Sequence, residues 1–248
     1  MKKLLDPAYW ARALSNPLVV IGLIIDLLPI YAVLAWGWSA VPLVMLYWME
    51  NIVAGVMTIP RILGSSLRFG VGGLLGGLFL SAFFVVHYGL FCLVHGTFLV
   101  AFASISNQQS ADDVPFADLE GIFRYGLQSG LHVDWIIYAI AAFQVIVFLV
   151  EFVWRSEWRR SSPDKEMMSP YGRIIVLHFG IFAGAGALFL LGQPMIGVLA
   201  LVLFRALWGL LSNSKRFGPE TAVENAASGV EPGERFAKLL RGKSPNAP

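Results

Sequence analysis

The sequence is poor in charge and almost free of cysteine. Only 14% of its 248 residues are charged, whereas a soluble domain carries about a quarter. The single cysteine, Cys92, excludes an intrachain disulfide and a metal site built from several cysteines. The sequence also lacks Lys/Arg-rich patches interleaved with aromatic residues, so nucleic acid is not an expected partner. These shortages argue against a soluble domain and predict the lipid bilayer as the main partner.

Long apolar runs make up much of the sequence. Hydrophobic residues make up 57% of the chain, and a spanning helix needs about 20 consecutive apolar residues. Six runs are close to this length or longer, which predicts an all-α, polytopic membrane protein with a bundle of six transmembrane helices. The runs cover residues 17–36, 40–62, 72–103, 133–154, 171–191 and 194–211.

The basic residues predict an orientation. Short cytoplasmic loops carry more Lys and Arg than loops on the opposite side of the membrane. With the N-terminus inside, all of the 18 basic residues except Arg124 and Arg205 are cytoplasmic. We therefore expect a multi-pass protein of the cell membrane with both termini in the cytoplasm.

The remaining segments divide into cytoplasmic and outer parts. Residues 1–16 are predicted to form a cytoplasmic interfacial helix, 17–211 the transmembrane domain, and 212–248 a cytoplasmic tail that is disordered. The polar loop 156–170 is expected on the cytoplasmic side and the acidic loop 105–131 outside. Apolar residues at helical spacing predict a short amphipathic helix on the outer surface within loop 105–131. They are Phe116, Leu119, Phe123 and Leu127.

Small residues recur at four-residue spacing in two spans. Such pairs let helix backbones approach closely, which is chiefly a packing signal. They also suggest a homo-oligomer through these Gly-xxx-Gly faces. The pairs are Gly72/Gly76, Gly73/Gly77 and Gly180/Gly184.

Ionisable side chains inside the spans need a reason, because a charge at the bilayer centre costs about 2.5–3.5 kcal/mol on insertion scales. At about 1.5 Å of rise per residue, four polar residues lie near the midplane: Asp26, Glu50, His87 and Gln144. By the same count, His178 and Arg205 fall in the cytoplasmic third, Glu151 lies lower still, and His95 lies near the outer interface.

Glu50 is the strongest candidate for chemistry. It belongs to a polar stripe at helical spacing that should turn inward, and it stays charged only if a metal or a cation lies beside it. His87 lies at a similar depth and is the natural partner of Glu50, as an acid/base pair or as a co-ligand. The stripe contains Tyr47, Glu50, Asn51, Ala54 and Thr58.

His87 and His95 cannot form one site. They are eight residues apart, which separates them by about 12 Å along a helix, whereas two nitrogens that bind one metal each lie about 2.0–2.1 Å from it. Cys92 and His95 are close enough to share a site, although packing is the simpler interpretation. His178 has Glu151 or Glu50 as a partner at comparable depth.

The other polar residues have structural explanations. Glu151 matches the depth of Arg205, so a buried ion pair between spans four and six is expected. Asp26 lies three residues before Pro29 and helps to satisfy a helix kink there. Taken one at a time these residues favour structure, but together they suggest a polar core. The residues assigned structural polar roles are Asp26, Asn51, Gln144, Arg205, His95 and Arg173.

Three stretches resemble a known family. "LYWMENIVAGV", "HYGLFCLVHG" and "PYGRIIVLHFG" together resemble the prokaryotic integral-membrane family DUF6498, a domain of unknown function, over roughly residues 15–215. The resemblance implies a membrane fold but no activity. The hallmark positions that it implies are Glu50, Asn51, His87, Tyr88, Gly89, His95, Glu151, Arg173 and His178.

Three functions remain open. The first is an intramembrane enzyme for a lipid or another membrane-soluble substrate, with Glu50 and His87 as catalytic candidates. In its metal-dependent form, a divalent ion such as Zn or Fe is held by Glu50, His87, His178 and Glu151, although no HExxH, GxSxG or clustered histidine motif is present. The alternatives are a proton- or ion-coupled transporter and an accessory or scaffold subunit.

Overall fold

The computed structural model describes residue 14, residues 17–107 and 115–175, and residues 178, 179, 182, 186 and 190. Within these residues the regular secondary structure is helical and no strand occurs. Several predictions lie outside the described residues. They are the interfacial helix within 1–16 apart from residue 14, most of the span 171–191 including Gly180/Gly184, the span 194–211 with Arg205, and the tail 212–248.

The first two helices follow the first two apolar runs. Helix α1 covers Pro17–Trp36 and carries Pro29 in its interior. Helix α2 covers Ala40–Ser66 after a turn in which Gly37 has a φ of 65°. A glycine adopts this left-handed conformation without the steric cost that a side chain adds. Trp38 joins this turn to the residues before α5, because its indole N–H donates to the carbonyl oxygen of Leu131 at 2.9 Å.

Helix α3 covers Gly70–Asn107 and follows α2 after a single 3₁₀ turn, Leu67–Phe69. Gly70, with a φ of 70°, is the point at which the chain reverses. The helix extends beyond the predicted span 72–103 at both ends, since the polar residues that follow Ala103 do not end it.

Among the residues that the structure describes, three helical stretches are long and apolar enough to cross a membrane. The first is α1, and the second is Ala40–Ile105, which contains α2 and most of α3. The third, Val133–Trp154, matches the predicted fourth span. It consists of helix α5, Val133–Val147, continued by a π-helical segment, Phe148–Trp154.

The predicted amphipathic helix is present as α4, Leu119–Gln128. Its start is capped by Asp118, whose side chain accepts a hydrogen bond from the backbone N–H of Glu120. The buried face differs from the predicted one. Ile122 and Gly126 are its buried residues, whereas Leu119 is exposed, because α4 packs its later turns on the methionine side chains of α2.

Residues 156–170 form a more ordered segment than a polar loop suggests. A 3₁₀ turn, Glu157–Arg159, is followed by helix α6, Pro163–Met168. Ser161 and Glu166 are buried in this segment, and Arg61 of α2 lies 3.5 Å from Glu157 and 3.7 Å from Glu166. These ion pairs hold the segment against α2.

The α2–α3 pair is the centre of the described fold. The two helices are antiparallel, because contacts that come later on α2 come earlier on α3. A Cβ on Gly55 would lie 2.6 Å from the ring of Tyr88, and one on Gly96 would lie 2.6 Å from Trp48. Glycine at these two positions therefore lets large aromatic side chains lie against the opposite backbone.

The predicted glycine pairs at the start of α3 divide into two kinds. A Cβ on Gly73 or Gly77 would collide with Phe69 or Ser66, so this face is packed inside the chain. A Cβ on Gly72 or Gly76 would meet nothing within 4 Å. Only the Gly73/Gly77 pair therefore serves close packing within the described chain.

Candidate functional site

The polar stripe of α2 faces inward, as predicted. Glu50, Asn51 and Thr58 are buried, as are Tyr47 and Ala54 of the same stripe. A hydrogen bond joins this face to α3, since Tyr88 of α3 donates its hydroxyl hydrogen to the backbone carbonyl oxygen of Asn51 at 3.0 Å. As a result, the carboxylate of Glu50 lies in the contact between α2 and the helices beside it.

Glu50 contacts a cation. Its Oε1 lies 2.5 Å from Nη1 of Arg173, in the helical residues 171–175 that follow α6. The Glu50 side chain is 6% exposed and that of Arg173 45% exposed. A guanidinium favours the ionised carboxylate through charge and hydrogen bonding, so Glu50 is an ion-pair partner here. A metal or a cation is predicted beside Glu50, and the cation found there is Arg173.

His87 contacts a tyrosine of the same segment. Its Nδ1 lies 2.8 Å from the hydroxyl oxygen of Tyr171, and its ring stacks on Phe83 with centroids 5.3 Å apart. The predicted partnership of His87 with Glu50 does not occur, because the two side chains engage different residues of 171–175.

His95 and His178 form a direct hydrogen bond. Nε2 of His95 lies 2.6 Å from Nδ1 of His178, and Nδ1 of His95 lies 2.7 Å from the backbone carbonyl oxygen of Phe91. A carbonyl oxygen only accepts, so Nδ1 of neutral His95 carries the hydrogen. Nε2 of His95 is then an acceptor and Nδ1 of His178 is the donor.

This direction of the hydrogen bond leaves the second ring nitrogen of His178 with a lone pair. Because His178 donates through Nδ1, its Nε2 is unprotonated in the neutral imidazole. Among the described residues no hydrogen-bond partner faces that atom, and His178 is exposed while His95 is buried. A histidine that is oriented through Nδ1 and open at Nε2 can accept a proton or bind a metal ion.

The three contacts follow one another along the chain. We call the Tyr171–His87, Arg173–Glu50 and His178–His95 contacts the polar ladder. The numbers of Tyr171 and His178 rise together with those of His87 and His95, so these two residues contact α3 in the same chain order. Glu50 follows Trp48 by two residues, which places it along α2 between the levels of Gly96 and Tyr88. The ion pair therefore lies between the two histidine contacts.

An aromatic ring separates the two histidines of α3. Phe91 lies 5.2 Å from His87 and 6.1 Å from His95, measured between ring centroids. A phenyl ring neither donates nor accepts a proton, so these contacts do not join His87 to His95 in one proton relay.

The family of unknown function DUF6498 has a model that matches residues 8–226. The chain belongs to this family. No curated protein and no solved structure matches the chain.

The polar ladder consists mostly of positions that the resemblance to DUF6498 implies. All of its residues except Tyr171 are positions that the resemblance implied as family hallmarks. The sequence alone does not distinguish Tyr171, because a tyrosine at the start of a span is typical of the membrane interface. The signal that was available is its seven-residue spacing from His178, which puts both on one helix face.

One depth estimate from the sequence is wrong. Counting residues puts His178 in the cytoplasmic third and His95 near the outer interface, yet their ring nitrogens are within hydrogen-bond distance. Consequently neither Glu50 nor Glu151 is the described partner of His178. The count failed because it assumed that each apolar run starts at the same membrane level.

The residues proposed as metal ligands are not brought together. Glu50 contacts Arg173, His87 contacts Tyr171, and His178 contacts His95. Within the described residues no group of three His, Cys, Asp or Glu side chains is arranged to hold a metal ion. The four-residue metal site therefore has no support in this part of the chain.

The other predicted polar residues lie apart from the polar ladder. Glu151 is buried in the π-helical segment, with Oε1 2.7 Å from Nη1 of Arg155. Its predicted partner, Arg205, lies outside the described residues. Asp26 and Gln144 are half-buried on α1 and α5. Cys92 is buried close to Tyr88, and its carbonyl oxygen accepts the indole hydrogen of Trp48 at 2.7 Å.

Proposed function

We propose that the protein is a membrane-embedded enzyme acting on a lipid or another membrane-soluble substrate, with His178 as its general base. The setting proposed for it is the prokaryotic inner membrane, with six spans and both termini in the cytoplasm. The distribution of basic residues supports this orientation. The three described apolar stretches support a membrane location.

The hydrogen bond between His95 and His178 carries the proposal. When Nε2 of His178 takes a proton from a substrate hydroxyl or from water, the ring becomes an imidazolium that still donates through Nδ1. His95 accepts that hydrogen bond and stabilises the developing charge, while the Phe91 carbonyl holds the His95 ring in place. His95 is thus a positioning residue and His178 the residue that touches substrate.

The surroundings of His178 favour a substrate that arrives through the bilayer. Phe179 and Phe182 are both exposed, and the Phe182 ring lies 5.0 Å from the ring of His178. Exposed aromatic side chains are compatible with lipid rather than with water. A hydrophobic substrate can therefore reach Nε2 without leaving the membrane.

The two alternatives receive less support. A proton-coupled transporter needs a continuous relay, and Phe91 separates the two histidines of α3. A scaffold subunit would use the polar ladder only to join helices. It would then tolerate any substitution at His178 that leaves the fold intact.

Lipid profiling of paired variants tests the proposal. The full chain, His178→Ala and the control His132→Asn are incorporated into nanodiscs with total lipid extract of the source organism, and products are followed by mass spectrometry. His132 lies outside the polar ladder with a φ of 61°, which asparagine adopts readily.

We expect turnover by the wild type and by His132→Asn. Because general-base catalysis contributes about 10²–10⁴-fold, His178→Ala should be at least about a hundredfold slower. An unchanged lipid profile with the wild type, or equal activity of His178→Ala, would contradict the enzyme proposal.

A further inference from the structure

Two arginines meet where the α2–α3 turn touches the 3₁₀ turn Glu157–Arg159. Nη1 of Arg68 donates to the backbone carbonyl oxygen of Arg159 at 2.8 Å. This contact brings the Arg68 guanidinium against the chain that carries Arg159. We call this pair of residues the arginine patch.

Each guanidinium of the arginine patch lies over a neighbouring aromatic ring. Cζ of Arg68 is 4.4 Å from the centroid of Phe69, and Cζ of Arg159 is 4.7 Å from the centroid of Trp158. Stacking on an aromatic face restricts the long side chain and leaves the N–H edge of the guanidinium available. The two cations are therefore partly oriented before any ligand arrives.

The arginine patch has no carboxylate contact within the described part of the chain. Among the described residues, neither Arg68 nor Arg159 has an acidic group within 4.0 Å. The pKa of the exposed Asp164 carboxyl is lowered chiefly by a hydrogen bond from the Ser162 side chain, with Arg68 as a minor cause. Four arginines do have acidic partners within that distance: Arg61, Arg124, Arg155 and Arg173.

Arg159 also has a buried donor without an acceptor. Its Nε is inaccessible to solvent and has no hydrogen-bond partner in the described structure. An arginine has five N–H donors, and such donors are normally satisfied when they are buried. The oxygens of an anion beside the arginine patch would accept hydrogen bonds from the free N–H edges of Arg68, which is exposed, while Nε of Arg159 stays out of their reach.

Exposed apolar side chains flank Arg68, both in the 3₁₀ turn Leu67–Phe69 and at the start of α3. Leu67, Phe69 and Val71 are exposed by 57%, 56% and 79%. Three large apolar side chains on both sides of an exposed arginine are expected where hydrocarbon meets headgroups. A free phosphate ion would contact only the arginines, whereas a phospholipid would also cover this apolar surface.

We propose that the arginine patch binds the phosphate of an anionic phospholipid, with the acyl chains lying along Leu67, Phe69 and Val71. This inference rests on the proposed membrane setting but not on the proposed enzymatic activity. A chain with no activity at His178 would still bind the lipid.

Native mass spectrometry of the detergent-purified full chain tests the proposal. The protein is titrated with phosphatidylglycerol and, separately, with phosphatidylcholine carrying the same acyl chains. Arg68→Gln and Arg159→Gln are compared with Arg124→Gln, which removes an exposed arginine paired with Glu120. The midpoint of thermal unfolding is also measured with inorganic phosphate alone and with phosphatidylglycerol.

We expect the wild type to bind phosphatidylglycerol severalfold more tightly than phosphatidylcholine, and more weakly as salt is raised. Each substitution in the arginine patch should weaken phosphatidylglycerol binding about fivefold, the equivalent of about 1 kcal/mol per basic residue at a membrane surface. Arg124→Gln should bind like the wild type.

Three results would overturn the proposal. The first is equal binding of the two lipids by the wild type, a measurement that does not depend on whether any variant folds. The second is unchanged phosphatidylglycerol binding in both folded patch variants. The third is stabilisation by inorganic phosphate as large as that by phosphatidylglycerol, which would assign the site to a free anion.

Discussion

His178 depends on a hydrogen-bond chain that ends on a backbone carbonyl. The carbonyl oxygen of Phe91 fixes the hydrogen on Nδ1 of His95, and His95 in turn fixes the hydrogen on Nδ1 of His178. The backbone of α3 thereby determines which nitrogen of an exposed ring carries the lone pair. A histidine without this partner would exchange freely between its two tautomers.

The Glu50–Arg173 ion pair should respond unequally to the loss of either partner. Arg173→Gln leaves a carboxylate that is 6% exposed without its guanidinium, whereas Glu50→Gln leaves a guanidinium that is 45% exposed. We expect the first to cost about 3 kcal/mol of unfolding free energy, as for a buried pair. The second should cost about 1 kcal/mol, because half of the arginine is accessible.

Thermal unfolding in detergent of both single variants and of Glu50→Gln/Arg173→Gln measures this difference. The double variant should be more stable than Arg173→Gln alone, since it removes the buried charge as well as its partner. A larger loss for Glu50→Gln than for Arg173→Gln would contradict the burial argument.

The sequence indicates which residues take part in the polar ladder better than it indicates their partners. Glu50 stands out because a carboxylate in an apolar run requires a cation, and Arg173 is that cation. The histidine partners were not predictable, because they depend on the axial offset between residues 171–178 and α3. Packing contacts set that offset, and counting residues from the end of an apolar run does not reveal it.

At the scale of the helices, the α2–α3 contact depends on the absence of a side chain at Gly55. A Cβ there would lie 2.6 Å from Cε1 of Tyr88, whose hydroxyl is bound to the carbonyl oxygen of Asn51. Gly55→Ala should therefore destabilise the fold by about 1–3 kcal/mol, the usual cost of overpacking.

Gly89→Ala is the matched control, because a Cβ at Gly89 would meet nothing within 4 Å. Its midpoint of thermal unfolding should equal or exceed that of the wild type, since alanine favours a helix by up to about 1 kcal/mol over glycine. Equal midpoints for the two variants would show that the Tyr88 ring moves aside without cost.

Helix positions were predictable where an apolar run ends at a turn signal. Helix α1 matches its run residue for residue, and Val133–Trp154 does the same. The π-helical form of Phe148–Trp154 was not predictable, because the apolar run alone does not distinguish it from an α-helix. In the fold, Phe152 lies against Gly64 of α2, a contact that no local pattern encodes.

At the scale of the whole molecule, the orientation is the prediction with the widest consequences. Reporter fusions test it directly. A fluorescent protein fused after residue 248 should fold in the cytoplasm, and alkaline phosphatase inserted within loop 105–131 should be active outside. These results are expected because 18 basic residues are distributed so unevenly between the two sides.

The same insertion within 156–170 serves as the control and should leave alkaline phosphatase inactive. Activity at 156–170 with none at 105–131 would reverse the orientation and place the arginine patch at the outer leaflet. The proposed lipid site would then encounter the lipids of that leaflet.

The only thiol of the chain lies within the packed α2–α3 contact. Cys92 is 5% exposed and packs in a cluster with Ile62, Phe84, Tyr88 and Ile174. Its reaction with a maleimide therefore requires the helices to separate, so the labelling rate of the unmodified protein reports how often they do. The natural sequence thus contains a single-site probe of bundle opening, and its labelling rate with and without a substrate would show whether access to the site is gated.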